Sequence, residues 1–465
     1  MREKYKYLSK NVLLFSLSGF VPKILSFILV PLYTGILSTA EYGVSDLITT
    51  TVSLLIPIFT CDIQDAVMRY AMDKDYDQSH IFSTGIRIII KGTLLVITGA
   101  LFLYILPIHL KGEYLFFTVV MFFTTALSNT FTLFCRAIDQ VKIITVSSIL
   151  NSIITLCANI ILLAVIRMGL TGYLIANSLG AAIALTYLFV KAKLYRYIRT
   201  DIPKKVSKQM LIFSFPLIFS VIAWWVNNAS DRYILTWMSG IAVSGVYAVA
   251  YKIPNLLSIF QNIFTQAWSI SAIKEFDSED KDGFIGNMYT LMNFAMVAMC
   301  SLIMIVNQPI AGILYAKEFY FAWLYVPPLL ISVVFNAMSL FIGSIFTAVK
   351  DTKILSVSTI IGALINTILN FVFIYRWGAY GAAIATLIGY AVTFWVRRII
   401  LRKYVLMKIN NKRDMLGYTL LIAEMMIATL GWKYVSLQMA IFGLIMFIYR
   451  VECKKIVIGL KRVFK

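Results

Sequence analysis

The dominant pattern in the chain is a series of long apolar runs separated by short polar segments. An α-helix that crosses a bilayer needs about 20 mostly apolar residues, so each run predicts a membrane span. There are fourteen such runs, at residues 9–37, 43–68, 81–106, 114–136, 143–166, 172–193, 209–237, 241–270, 284–306, 322–349, 354–375, 380–400, 415–432 and 434–449. The pattern therefore predicts an all-α polytopic membrane protein with 14 transmembrane helices.

One stretch of this pattern occurs twice. Positions in 137–163 recur 211 residues later, and positions in 169–180 recur after a further two-residue slip, with thirteen identities in 39 positions. A chain this rich in a few apolar residues gives roughly three or four such identities by chance. The recurring residues include Lys142 with Lys353, Asn159 with Asn370, Gly169 with Gly378, Gly172 with Gly381, and Gly180 with Gly389.

The repeat predicts two six-helix lobes of one fold. We expect an N-terminal lobe at 1–193, a linker at 194–208 and a C-terminal lobe at 209–400. Residues 401–465 then hold two further helices and a tail, outside the repeat. Two copies with the same orientation are related by an axis along the membrane normal, which leaves a cleft between lobes that can open to either side.

The charges fix the expected topology. The chain of 465 residues is 60% hydrophobic and 14% charged, with a net charge of +20, whereas soluble domains carry about 25% charged residues. Of the 42 lysines and arginines, 32 lie in alternate connections that include both termini, and five lie in the connections on the other side. The excess predicts that both termini are cytoplasmic. Because the cations lie between spans, we expect no nucleic-acid partner.

The sequence carries no pattern for catalysis, a cofactor or a metal. Its five cysteines form no CxxC pair, there is no GxxxxGK[ST] or HExxH motif, and the two histidines lie at span ends. We therefore expect a transporter, and not an enzyme. A membrane glycosyltransferase or polymerase would present acidic motifs in a large outer loop, and the predicted outer loops are short.

Five cations lie inside predicted spans, at Lys23, Arg87, Lys91, Arg232 and Lys252. A cation that faced lipid at mid-span would cost about 2.5 to 3.5 kcal/mol, so these side chains should face a wet cavity or a partner. We predict that they bind substrate. For Arg87 and Lys91, snorkelling toward the inner interface is an equally good interpretation.

Further polar side chains on the spans are candidates for substrate contact or gating. Asp231 and Arg232 follow a run that contains Trp224, Trp225, Asn227 and Asn228, which predicts either a sugar-binding surface or an interfacial cap with an internal ion pair. Asp62, Asp65 and Arg69 share one helix face and form either a gate or a structural ion-pair stripe. Asp46 is a further candidate for ion coupling, and Glu424, in span 13, has no identifiable partner.

Several short strings resemble the polysaccharide transport branch of the multidrug, oligosaccharidyl-lipid and polysaccharide exporter (MOP) superfamily. The strings are Leu32-Tyr33, Leu37-Ser38-Thr39-Ala40-Glu41-Tyr42-Gly43, Asp231-Arg232-Tyr233-Ile234-Leu235, Gly245-Val246-Tyr247 and Ala250-Tyr251-Lys252-Ile253-Pro254. The resemblance implies a flippase that moves an undecaprenyl-diphosphate-linked oligosaccharide repeat unit of an O-antigen or capsule from the inner to the outer leaflet. It implies membrane lipids, a polymerase and other glycan-assembly proteins as partners.

Two other transport functions stay open. A cation-coupled drug or metabolite antiporter of the same superfamily would need a coupling acid, for which Asp46, Asp62 and Asp65 are the candidates. A flippase for a lipid-linked peptidoglycan precursor has the same electrostatic requirements as a glycan flippase. The excess of cations over acids in the spans favours an anionic load in either flippase.

Overall fold

The fold is all-helical in the part of the chain that the structure describes. The structure is a computed structural model that describes residues 22–106, 111–274, 276–349, 351, 353–407 and 409–453. Every regular element in these ranges is a helix, and none is a β-strand. The start of the predicted span 9–37 and the end of the predicted tail lie outside the described residues. The all-α prediction is confirmed.

Helices α1 to α8 follow one another in the first half of the chain. Their bounds are α1 Pro22–Ile36, α2 Thr39–Thr60, α3 Ile63–Ala71, α4 Gln78–Ile105, α5 Gly112–Ala137, α6 Val141–Asn159, α7 Gly169–Lys191 and α8 Lys204–Ser239. A π-helical turn, Ile160–Val165, continues α6, and a 3₁₀ turn, Leu194–Tyr197, follows α7.

Helices α9 to α16 make up the second half. Their bounds are α9 Ile241–Ala250, α10 Pro254–Lys274, α11 Phe284–Ile305, α12 Asn307–Leu314, α13 Val326–Ala348, α14 Lys353–Leu401, α15 Asn411–Ala428 and α16 Val435–Ile448. Two 3₁₀ segments, Lys317–Leu324 and Trp432–Tyr434, precede α13 and α16.

The chain divides into two compact units, Met1–Trp225 and Val226–Lys465. The division falls inside α8, whose first 22 residues cluster with the first unit, so it lies beyond the predicted linker 194–208. The lobe bounds 1–193 and 209–400 stay a prediction.

Nine helices in the described ranges are long and apolar enough to cross a membrane, and counting the bent pair Ile241–Ala250 and Pro254–Ile273 as one span gives ten. Two predicted spans, 354–375 and 380–400, both lie in α14, which turns at Gly378. The predicted spans 415–432 and 434–449 overlap α15 and α16, which are not among the nine. The structure thus supports a multi-pass membrane protein, and the count of fourteen stays a prediction.

The sequence repeat has a structural counterpart in two helical hairpins. Gly169 begins α7 with φ +57°, and Gly378 turns α14 with φ +56°, a conformation that side chains with a Cβ rarely adopt. Three residues further on, Gly172 and Gly381 each bring their helix against a carbonyl of the preceding arm. Asn159 and Asn370 are both fully buried. The repeated text therefore specifies a tight hairpin in each unit.

Local sequence explains the bounds of α2. Ser38 forms a capping box with Glu41, because the Glu41 amide donates to Ser38 Oγ at 3.2 Å and the Ser38 amide donates to the Glu41 carboxylate at 2.8 Å. At the other end, Cys61 and Asp62 adopt φ of +52° and +48°, which ends the helix at Thr60. The predicted span 43–68 is therefore interrupted before its last eight residues.

The last two helices are joined to the second unit by buried polar contacts. Arg398, 5% exposed, lies 3.6 Å from the Asp414 carboxylate. Ser301 of α11 donates to the Glu424 carboxylate of α15 at 2.6 Å, so Glu424 has a partner that its sequence context did not reveal. The prediction that these helices stand outside the repeat holds for the sequence, but their side chains are part of the core of the unit.

Candidate functional site

The five cations predicted to bind substrate belong to both units. Lys23 is exposed on α1, and Arg87 and Lys91 are exposed on α4 of the first unit. Arg232 and Lys252 are half-buried in the second unit. Lys252 lies at the break between α9 and α10, where the chain bends by 48°. Among the described residues, Lys23, Arg87, Lys91 and Lys252 have no carboxylate within 4.0 Å.

Arg87 and Lys91 line a basic cavity of about 740 Å³ in the first unit. One wall is a face of α4 that also carries Thr84, and the other is the first turns of α8 with Lys204 and Lys208. The spacing on both walls is that of a single helix face. The remaining lining is mostly apolar, at Ile88, Ile202, Leu211, Ile212, Phe215 and Pro216. The cavity therefore combines four cations with apolar walls.

The predicted linker is attached to α4 beside this cavity. Ser83 donates to the Tyr197 carbonyl at 3.0 Å and accepts from the Arg199 amide at 2.7 Å. Arg87 Nη2 donates to the Thr200 carbonyl at 2.8 Å. These bonds hold the segment that leads into α8 and orient the Arg87 guanidinium. A second hollow of about 540 Å³ lies on the same side chains, between Arg87, Lys91 and Ile202.

Asp231 is the centre of a buried polar network in the second unit. Its side chain is 2% exposed and accepts hydrogen bonds from the hydroxyls of Tyr247 at 2.7 Å and Tyr251 at 3.0 Å. The Arg232 amide donates to its other oxygen at 2.9 Å, and the Arg232 guanidinium lies 5.0 Å from the centre of the Tyr251 ring. Charge-assisted bonds of this kind stabilise a buried carboxylate. Asp231 is thus a buried carboxyl group with several hydrogen-bond donors around it, and not an exposed cap.

The network extends into the hairpin formed by α14. Thr386 approaches the Asp231 carboxylate at 3.5 Å and accepts from Asn366 at 3.4 Å. Asn370, the repeat partner of Asn159, donates to Asn366 at 2.8 Å. A residue of the sequence repeat, Asn370, is therefore connected to the Asp231 network through Asn366 and Thr386.

The aromatic and amide residues predicted to contact a sugar have different environments. Trp225 is 9% exposed, and its indole N–H is shared between the Thr50 carbonyl and Ser53 Oγ, each at 3.1 Å. Asn227 is buried, and Tyr390 donates to Asn228. Trp224, by contrast, is 61% exposed. Of these four side chains, Trp224 presents a ring face that a sugar can reach.

The predicted acidic stripe lies at the break between α2 and α3. Asp62 is buried before α3 and accepts from Gln64 at 3.1 Å, Asp65 is exposed, and Arg69 pairs with Asp73 at 3.9 Å. Among the described residues, Arg69 forms its ion pair with Asp73 and not with Asp62 or Asp65, whose carboxyl groups lie close to each other, so the expected stripe of Asp62, Asp65 and Arg69 is not formed. Asp62 lies beyond the candidate span Thr39–Thr60, and burial together with the charge of Asp65 raises its pKa to about 6. Asp46 is half-buried within α2.

A family profile matches more than half of this chain. The profile, described as polysaccharide biosynthesis protein, matches residues 8–269. The chain belongs to the polysaccharide biosynthesis protein family. The resemblance inferred from the short strings is thereby confirmed.

One curated relative is distantly similar to this chain. A "Probable low-salt glycan biosynthesis flippase Agl15" of Haloferax volcanii is 24% identical over 188 residues, which is 38% of this chain and 39% of that protein. The aligned region thus spans about two fifths of that relative's length.

Solved structures of two transporters share the fold. The lipid II flippase MurJ in an inward closed conformation superposes with a TM-score of 0.71 at 14% identity, covering 96% of this chain and all of that one. An inward-facing multidrug resistance MATE family transporter of the MOP superfamily gives 0.66 at 14% identity, covering 83% of this chain and 97% of that one. The chain therefore has the fold of MOP superfamily transporters.

Several residues of these sites were not predicted from the sequence. Lys204 and Lys208 were counted with the linker charges, although they occupy the first turns of a long helix, where cations oppose the helix dipole. That conflict was a signal in the sequence. Tyr247, Tyr251 and Thr386 gave no such signal, because hydroxyl groups on apolar helices are common and only the fold brings them to Asp231.

Proposed function

We propose that this protein is a flippase that moves an undecaprenyl-diphosphate-linked oligosaccharide repeat unit from the inner to the outer leaflet of a bacterial cytoplasmic membrane. Membership of the polysaccharide biosynthesis family and the similarity to a glycan biosynthesis flippase both support this proposal. The transport would proceed by alternating access of the two predicted lobes, as expected for a protein built from repeated halves.

The observation that carries the proposal is that two cations on the apolar helices have no acidic partner among the described residues, whereas the buried acid has hydrogen-bond donors of its own. Lys23 and Lys252 have no carboxylate within 4.0 Å among the described residues, whereas the buried Asp231 has hydroxyl and amide donors of its own. Unpaired cations in an apolar setting favour an anionic ligand. A diphosphate linked to a lipid supplies that anion together with an apolar tail.

We assign the diphosphate to Lys23 and Lys252 and one sugar contact to Trp224. Lys23 is exposed on its helix, and Lys252 lies where a broken helix leaves backbone groups open to polar neighbours. Trp224 offers an exposed indole that can stack on the apolar face of a sugar ring.

The proposal is tested by neutralising both lysines in a cell that needs the protein for its surface glycan. The double variant Lys23→Gln/Lys252→Gln should lose surface glycan and accumulate lipid-linked repeat units inside the cell, with normal amounts of protein in the membrane. A matched control, Lys142→Gln/Lys353→Gln, removes the same charge at repeated positions and should leave the glycan unchanged. Full surface glycan in the first variant would overturn the assignment.

The two alternatives predict different results in the same cells. A peptidoglycan-precursor flippase, which the excess of unpaired cations also favours, would cause lysis when it is depleted, without a specific loss of surface glycan. A cation-coupled antiporter, favoured by the buried Asp231 with its polar neighbours, would alter drug sensitivity and leave the glycan intact.

A further inference from the structure

We propose that the basic cavity between α4 and the start of α8 binds the phosphate head of a membrane lipid. The ligand class is an amphiphile with a phosphate or diphosphate head and an apolar tail. The inference concerns binding alone and does not depend on the transported substrate.

Positive charge is concentrated around one hollow in the first unit. Arg87, Lys91, Lys204 and Lys208 all line the cavity of about 740 Å³. None of the four has a carboxylate within 4.0 Å in the described part of the chain, and Asp201, which precedes Ile202, does not line the cavity. Four cations without acids around one hollow repel one another until an anion is bound.

The charges at the start of α8 oppose the dipole of that helix. The helix begins with Lys204 and Lys205, has Lys208 one turn later, and has no acidic residue in its first turn. Because the N-terminus of a helix already carries a partial positive charge, cations there are destabilising. Departures from a local rule are expected at functional sites. The same end of the helix would become favourable with a phosphate beside it.

The Arg87 guanidinium is held in position by a hydrogen bond to the linker. The Arg87 guanidinium donates to the Thr200 carbonyl. The linker segment that contains Thr200 is attached to α4 by the hydrogen bonds of Ser83 with Tyr197 and Arg199. Thr84 is 1% exposed, and its hydroxyl oxygen lies 3.4 Å from that of Ser207. Both residues line the cavity, so its wall carries two hydroxyl groups. The guanidinium is therefore held in place before a ligand arrives.

Exposed apolar side chains on α8 and α4 form a path that leads away from the cavity. On α8, Ile212, Phe215 and Phe219 are 62%, 56% and 65% exposed and follow one another along one face. On α4, Leu94 and Leu95 continue the face of Lys91 and are 57% and 58% exposed. A free phosphate ion makes no use of such a path, whereas an acyl or isoprenyl chain does. The combination of head and tail contacts selects a lipid.

Binding is measured on the full-length protein in phosphatidylcholine nanodiscs by native mass spectrometry and by competition. The probes are phosphatidylglycerol, geranyl diphosphate and inorganic pyrophosphate. We expect both amphiphiles to bind and pyrophosphate to bind far more weakly. Tighter binding of geranyl diphosphate identifies an isoprenoid ligand, and tighter binding of phosphatidylglycerol identifies a bilayer phospholipid. Equal affinity for pyrophosphate and geranyl diphosphate would overturn the lipid assignment.

The variants separate the cavity from general surface charge. Arg87→Gln/Lys91→Gln and Lys204→Gln/Lys208→Gln should each weaken binding about 30-fold, which follows from about 1 kcal/mol for each cation and 1.4 kcal/mol for each factor of ten. The control Lys142→Gln/Lys191→Gln removes the same charge outside the cavity and should bind as the wild type does. Equal affinities in the cavity variants and the control would overturn the proposal.

Two further measurements distinguish a loss of lipid binding from a loss of folding. Removing Lys204 and Lys208 relieves the conflict with the helix dipole, so the melting temperature of that variant should not fall while its lipid binding does. Ile88→Trp fills the cavity without altering charge and should also lose binding. Wild-type binding by Ile88→Trp would place the lipid outside the cavity and contradict the inference.

Discussion

The tight hairpin in α14 makes Gly381→Ala the sharpest test of the fold. A Cβ at Gly381 would lie 2.1 Å from the Phe373 carbonyl oxygen and 2.4 Å from its carbon, whereas an ordinary contact needs at least 3.4 Å. The two arms must therefore separate by about 1.3 Å, which loses much of the dispersion contact between them. Because backbone atoms cause the clash, no side-chain rotation relieves it.

The expected cost follows from these distances. Overpacking costs about 1 to 3 kcal/mol, and a backbone clash should reach about 3, while alanine regains about 1 kcal/mol of helix propensity. We expect Gly381→Ala to lower the free energy of unfolding by about 2 kcal/mol. Gly99→Ala, where nothing lies within 4 Å of the new Cβ, should raise it by up to about 1 kcal/mol. The repeat partner Gly172→Ala should fall between them, since its closest atom is a Cβ at 2.9 Å.

Unfolding of the purified protein in mixed micelles, followed by circular dichroism, measures this order. The same hairpin carries Asn366 and Thr386, so Gly381→Ala should also reduce transport per folded molecule. Free energies of unfolding for Gly381→Ala and Gly99→Ala that agree within about 0.5 kcal/mol would refute the close approach of the two arms.

Three further predictions concern single contacts. Ser38→Ala should cost about 1 kcal/mol of stability because it removes the two hydrogen bonds that Ser38 Oγ makes with Glu41, one from the Glu41 amide at the start of α2 and one to its carboxylate. Arg413→Met should cost about 3 kcal/mol because it leaves the mostly buried Glu452, now 2.6 Å from Arg413, without its ion-pair partner, and adding Glu452→Met should recover most of the loss. Asp62→Asn should stabilise the protein above pH 6 and have no effect below pH 4, since the pKa of Asp62 is raised from 3.8 to about 6 and the folded state therefore loses stability as the carboxyl ionises.

Each of these predictions has its own control, and unfolding curves provide the readout. Ser38→Thr keeps the cap and should behave as the wild type does. A double variant of Arg413 and Glu452 no more stable than Arg413→Met alone would contradict the ion-pair argument. Asn tolerates the left-handed conformation of Asp62, so a stability gain that is the same at pH 4 and pH 7 would point to the backbone and not to ionisation.

Most of the fold could be predicted from the long apolar runs and from the repeated sequence. Each predicted span overlaps a helix where the structure describes it, because a bilayer demands long apolar helices regardless of detail. The interruption at Cys61 and Asp62 was missed, since two non-glycine residues in the left-handed region leave no mark in a hydropathy pattern. The turn at Gly378 lies in the gap between the predicted spans 354–375 and 380–400, and the repeat pairs this glycine with Gly169.

The site was less predictable because its charges depend on neighbours that are distant in sequence. Arg87 and Lys91 were found from their depth in a span, but their grouping with Lys204 and Lys208 needed the path of the linker. Trp225 looked like a sugar-binding residue beside Trp224, and its hydrogen bonds to Thr50 and Ser53 were invisible. Periodicity places a residue on a helix, whereas its partners are set by how the helices pack.

The proposed movement of a diphosphate-linked glycan lipid across a bilayer, with Lys23 and Lys252 as the cations that bind it, is tested most directly by measuring transbilayer movement in proteoliposomes. A fluorescent undecaprenyl-diphosphate-linked oligosaccharide is incorporated, and the fraction protected from an external quencher is followed with time. Wild-type protein should equilibrate the lipid between leaflets much faster than protein-free vesicles do, and Lys23→Gln/Lys252→Gln should fall to the protein-free rate. Folded wild-type protein that leaves the lipid at the protein-free rate would contradict the account.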